Sequence, residues 1–172
     1  MTREGALAVT IAFALVLIGV LVWAWWRRTR RDSGLTPPIG EAPAGATVLA
    51  THEALYVATT RHDEPLERLA ISGLGFRSRA ELTVTSDGVA LDLTGQPRLF
   101  LPTDRIVAVD QATVAIDRVV ERDGLVRIAW RIESDGSGPG TVVDSYIRAQ
   151  DASARAVSDE IGALLTPTGT DE

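Results

Sequence analysis

Residues 81–93 read ELTVTSDGVALDL, two runs of alternating apolar and polar residues separated by Ser86, Asp87 and Gly88. A strand turns successive side chains to opposite faces, so period-two alternation marks a sheet with one buried and one solvated face. Asp-Gly between two such runs predicts a hairpin, because a type I′ turn needs positive φ at both central residues and Asp followed by Gly tolerates it. Leu82, Val84, Val89, Leu91 and Leu93 then share the inward face.

The same period recurs on both sides of this hairpin. In residues 125–132, LVRIAWRI, Val126, Ile128, Trp130 and Ile132 lie on one side and Arg127 and Arg131 on the other, which makes Trp130 a core anchor. Further strands are predicted over residues 50–59, 69–73 or its neighbourhood, 98–101, 106–110 and 141–149, with 134–140, SDGSGPG, as a loop. After Gln150 the period lengthens. Ala154, Val157, Ile161, Leu164 and Leu165 fall at helical spacing, with Asp151 as the N-cap and Thr166-Pro167 as the stop. The predicted fold class is mainly β with one C-terminal α-helix, a small barrel or sandwich with the helix packed over one open end.

The N-terminal segment belongs to a different solvent. No residue from Gly5 to Trp26 is charged, and at 1.5 Å per residue this length spans about 33 Å as a helix, enough to cross a hydrocarbon core of about 30 Å. A cleavable secretory signal is disfavoured, because Trp23, Trp25 and Trp26 followed by Arg27 stand where small residues would be needed. Arg3 and Glu4 offset each other before the helix, whereas Arg27, Arg28, Arg30 and Arg31 follow it. Short basic flanks stay on the cytoplasmic side, so the expectation is a single-pass plasma (inner) membrane protein with its N-terminus outside and its bulk in the cytoplasm. Trp23, Trp25 and Trp26 fit an interfacial belt. The arginines serve as topology signal and also attract anionic lipid at about 1 kcal/mol each.

Residues 1–31 therefore read as a membrane anchor with residues 5–26 in the bilayer, 32–47 as a flexible Pro/Gly tether, 48–166 as the folded domain and 167–172 as a tail. All 17 basic residues are Arg. From residue 48 onward 12 arginines face 20 acidic residues, a net charge of −8, which disfavours nucleic acid as a partner.

Catalytic and metal motifs do not assemble. The chain has no Cys, which removes thiolate nucleophiles and Cys-containing zinc sites. Its two histidines, in His52-Glu53 and His62-Asp63, lack HExxH spacing and read as isolated strand or surface residues. Gly73-Leu74-Gly75 opens like a dinucleotide fingerprint, but Ser78 stands at the third glycine and a strand pattern follows. Ser145, Ser153 and Ser158 have no His placed by the sequence for a triad, and residues 135–138 lack the spaced carboxylates of an EF-hand. No catalytic residue, cofactor or metal is expected.

The runs GLGFRSRAELTVTSDGVAL (73–91), LFLPTDRIVAVD (99–110), DGLVRIAWRI (123–132) and VDSYIRAQD (143–151) resemble the bacterial pleckstrin-homology-like (PH-like) domains of single-span actinobacterial membrane proteins, a functionally uncharacterised group. The resemblance covers residues 56–165 and the anchor. It implies two nearly orthogonal antiparallel sheets capped by the helix, and no catalytic signature. Inositol-phosphate-binding members of the wider fold carry a basic residue, a gap and then Arg-x-Arg, which Arg61 with Arg77 and Arg79 loosely mimics. Solvent-facing strand charges are the plainer reading, because Asp63, Glu64 and Glu67 lie in the gap. The expected function is a membrane-tethered interaction or scaffold module for a cytoplasmic protein partner, with an anionic headgroup or phosphate sensor as the alternative.

Overall fold

In the computed structural model, which describes residues 3–32, 34–116, 118–119, 123–134 and 140–165, α1 (Arg3–Asp32) precedes β1 (Leu35–Thr36), β2 (Val48–Arg61), β3 (Glu64–Arg68), β4 (Ser78–Thr85), β5 (Gly88–Leu93), β6 (Leu99–Pro102), β7 (Ile106–Ala112), β8 (Val114–Ala115), β9 (Arg118–Val119), β10 (Leu125–Ser134), β11 (Thr141–Ala149) and α2 (Ala154–Leu165). Nine strands form one antiparallel sheet in the order β1-β10-β11-β2-β4-β5-β6, with β7 on β10 and β3 on β2. The two sheets implied by resemblance are realised as one curled half-barrel, because β2 belongs to both halves. Its 14 residues pair with β4 through Val48–Tyr56 and with β11 through Ala54–Arg61. Register shifts at Tyr146/Ile147 and Val48/Ala50 bend it there, since a bulged strand kinks and twists more strongly.

The concave face holds the core, including Leu82, Val84, Val89, Leu91, Leu93, Val126, Ile128, Trp130 and Ile132. Helix α2 packs against β7 and β10 and reaches β5 and β11, burying Ala154, Val157 and Ile161. A chain of hydrogen bonds threads this core. Trp130 Nε1 donates to Ser145 Oγ (2.9 Å), Ser145 Oγ lies 2.8 Å from Thr59 Oγ1, Thr59 Oγ1 lies 2.8 Å from Tyr56 Oη, and Tyr56 Oη donates to the Leu74 carbonyl (2.9 Å). The indole can only donate and the carbonyl can only accept. Both hydroxyl bonds between them are thereby oriented, Ser145 donating to Thr59 and Thr59 to Tyr56.

Four local expectations are corrected. The β4–β5 register pairs Thr85 with Gly88, so Ser86 and Asp87 form the turn, and neither has positive φ; it is not type I′. Gly88 is required for another reason: a Cβ there would lie 2.2 Å from the Leu101 carbonyl oxygen. The strand predicted at 69–73 or its neighbourhood lies just before that stretch, as β3; residues 69–73 themselves are not a strand. They follow β3 as a turn whose Leu69, Ile71 and Leu74 plug the core, so their apolar spacing reflects burial without a ladder. Asp151 does not cap α2. Ser153 Oγ accepts the Ala156 N–H, while Asp151 Oδ2 accepts the Glu53 N–H.

The fourth correction concerns the tether. Leu35 and Thr36 pair with Ser134 and Glu133 at the end of β10, Ile39 bridges Leu99 on β6, and Pro38 and Gly40 exchange backbone bonds with Phe100 and Arg98. Residues 35–40 thus strap the two ends of the open sheet together. A Pro-rich segment that cannot extend a helix still satisfies free edge groups where two edges approach.

Candidate functional site

The exposed surface of α1 is apolar along its length. It is long and apolar enough to cross a membrane, and none of that stretch is buried inside the structure. Where the apolar run stops, Arg27 lies over the Trp23 ring at 5.5 Å and Arg30 over the Trp26 ring at 3.6 Å. These are i, i+4 pairs, so two stripes each carry an indole followed by a guanidinium. Trp25 is exposed as well. The side chain of Arg28 lies outside the described residues, as do residues 135–139 of the predicted loop and the tail.

The Trp23–Arg27–Arg31 stripe faces β3 across a groove of about 960 Å³ whose far wall carries Glu64, Leu66 and Glu67. Three contacts build it. Arg31 Nη2 reaches Glu67 Oε1 at 2.7 Å and Arg31 Nε reaches Asp32 Oδ1 at 3.0 Å. Asp32, although it ends a helix, is buried and accepts the Ala70 N–H at 3.0 Å. Arg61 Nε adds a 3.3 Å contact to Glu67. A hydrogen bond between the two β3 carboxyls pushes Glu64 above the usual carboxylate range and holds Glu67 below it. Leu66 is 69% exposed.

The hairpin that carries this wall is pinned from behind. His62 and Asp63 form the turn between Arg61 and Glu64, with Asp63 at φ 60°. Asp144, fully buried on β11, accepts the Asp63 N–H at 3.0 Å and meets His62 Nδ1 at 2.8 Å. Arg127 binds Asp110 (2.6 Å), Asp63 (3.2 Å) and Asp144 (3.5 Å). His62, Asp63 and Asp144 place three ligand atoms within 4.8 Å of one another, but the Arg127 guanidinium already supplies the cation, and Asp144 is taken up by the turn. This cluster holds a hairpin. His52 similarly joins β2 to α2 through Glu160 at 2.7 Å. Both histidines, expected to be isolated, are clasped by carboxylates from distant strands and α2, partners that the sequence alone does not bring near.

Of the three candidate anion-binding arginines, Arg61 and Arg79 stand far apart. Arg79 pairs opposite Leu55, six residues along β2 from Arg61, about 20 Å at 3.3 Å per residue. Arg61 is engaged by Glu67, and Arg77 and Arg79 are exposed with no ion pair among the described residues. Arg105 is engaged as well, by Glu133 on β10.

A curled antiparallel half-barrel closed by a C-terminal helix is the architecture of a PH-like domain. Residues 34–161 match the family described as Bacterial PH domain-like, and the chain belongs to that family. The match begins at residue 34, so it includes the strap. No curated protein matches. Among solved structures, a chain of the 8S snRNP assembly intermediate is similar at 8% identity and a TM-score of 0.50, covering 80% of this chain and 98% of that one. The C-terminal domain of an unknown protein from Leishmania infantum is similar at 11% identity and a TM-score of 0.45, covering 84% and 99%. At such identities the likeness concerns the fold alone.

Proposed function

We propose that the protein is a single-pass plasma-membrane protein whose PH-like domain faces the cytoplasm and serves as a scaffold for a protein partner, without catalysis. One observation carries this reading: Asp32, the last residue of the apolar helix, is buried in the domain and bonded to Ala70. Anchor and domain are one continuous structure, so the domain's outer surface is held at a set distance and attitude from the bilayer. The arginines that follow Trp26 support the cytoplasmic placement. The domain's acidic balance supports a surface that stands away from anionic lipid and is open to other proteins. Crosslinking in intact membranes followed by affinity capture of the full chain tests the reading, alongside protease protection in spheroplasts. A reproducible intracellular partner with a protected domain supports it. Digestion of the domain from outside, or recovery of the chain alone, overturns it.

A further inference from the structure

We propose that the groove between α1 and β3 seats the headgroup of a zwitterionic phospholipid bearing a primary ammonium, its phosphodiester on Arg27 and its ammonium on Glu64 and Glu67. The inference rests on the membrane-spanning reading of α1.

Depth comes first. Trp23, Arg27 and Arg31 recur every four residues on the face lining the groove. At 1.5 Å per residue they span about 12 Å along the helix axis. An indole that marks the acyl boundary places the groove across the headgroup layer, which is about 5–8 Å thick on each side of the hydrocarbon.

Charge then selects the occupant. Arg31 is neutralised by Asp32 and Glu67, and Arg61 also bonds Glu67. Arg27 lies over the Trp23 ring and has no carboxylate partner among the described residues, so its guanidinium can take a phosphodiester by paired N–H bonds. Glu64 is engaged by Glu67 through a shared proton. An ammonium seated between the two carboxyls takes the place of that proton and donates to both. With both carboxyls ionised, Arg27 and Arg31 balance Glu64 and Glu67 on the groove lining, so a purely anionic headgroup meets the two β3 carboxyls where an ammonium would neutralise them. A quaternary ammonium offers no N–H to those carboxylates; a primary ammonium offers three. The volume of about 960 Å³ lies within the range of about 300–1,000 Å³ for ligand sites.

The test is native mass spectrometry of the full chain released from nanodiscs of equimolar phosphatidylethanolamine, phosphatidylcholine and phosphatidylglycerol. The expected result is retention of phosphatidylethanolamine on the order of tenfold over either competitor, the worth of one charge-assisted hydrogen bond. Glu64→Gln, an exposed change that breaks no ion pair, should erase the preference, and Arg27→Gln should lower retention of all three lipids. Equal or greater retention of phosphatidylglycerol by the native chain, or an unchanged preference in Glu64→Gln, overturns the headgroup assignment while leaving the span intact. Loss of the chain from carbonate-washed membranes overturns both.

Discussion

Asp32 Oδ2 accepts the Ala70 backbone N–H at 3.0 Å, with the Asp32 side chain only 1% exposed. The long apolar helix α1 therefore ends inside the domain it carries, and the joint is made of a charged hydrogen bond and the strap that follows it. Asp32→Ala removes the acceptor and one partner of Arg31. The expected loss is about 1.5–3 kcal/mol, the range for hydrogen bonds to charged groups, read as a lower midpoint in thermal unfolding of the full chain in detergent. Spin labels on α1 and β4 should show a broadened distance distribution in the same variant.

Ser145 stands between an indole that can only donate and a threonine that relays to Tyr56. Ser145→Ala leaves the Trp130 N–H buried without an acceptor, at a cost of about 1–3 kcal/mol. Trp130→Phe in the same background removes that donor, so the pair should lose less than the sum of the single changes. Chemical denaturation of the four proteins in a double-mutant cycle measures the coupling.

Asp144 satisfies the Asp63 N–H, His62 and Arg127 at once. Removing one partner of a buried ionic cluster costs about 3–5 kcal/mol, so Asp144→Ala should be among the most damaging single changes. Because the β2–β3 turn depends on it, hydrogen exchange should quicken at Glu64–Arg68 before it does so in β4 or β5.

Gly88 crosses the backbone of β6 so closely that a Cβ would meet the Leu101 carbonyl oxygen at 2.2 Å. Gly88→Ala must push β5 from β6, and overpacking of this kind costs about 1–3 kcal/mol. Gly95 is the control, with positive φ but no atom within 4 Å of where a Cβ would stand. Gly95→Asn should be far milder, because Asn tolerates that conformation. Thermal midpoints of the two variants check the order.

Burial raises the Tyr56 hydroxyl above the ordinary tyrosine range, and burial raises Tyr146 as well. An unfolded tyrosine loses its proton near pH 10, while the folded chain keeps these two. Above about pH 10 the unfolded state therefore binds fewer protons, and stability falls as pH rises; it is fully present below that pH. Thermal midpoints measured from pH 9 to 11.5 should decline, with a shallower slope in Tyr56→Phe.

The alternation in residues 81–93 and 125–132 was enough to place β4, β5 and β10 and to assign their inward faces, because period two is a local property of the chain. The apolar run to Trp26 likewise announced α1, and the helical spacing from Ala154 announced α2. Short apolar runs were ambiguous for a physical reason. Leu69, Ile71 and Leu74 are buried as a strand would be, but burial alone does not specify a hydrogen-bonding partner.

The order of residues was sufficient for the periods, the charge break after Trp26 and the lack of cysteine chemistry, since each depends only on composition or on near neighbours in the chain. Whatever depends on meeting at a distance came from the folded arrangement: Asp32 with Ala70, Asp144 with the His62-Asp63 turn, and residues 35–40 across the sheet's open ends. The same arrangement brought Arg27 and Glu64 to the lining of one groove. A Pro/Gly-rich segment reads as a tether until two unpaired strand edges lie close enough to hold it, and that distance is set by the curl of the whole sheet.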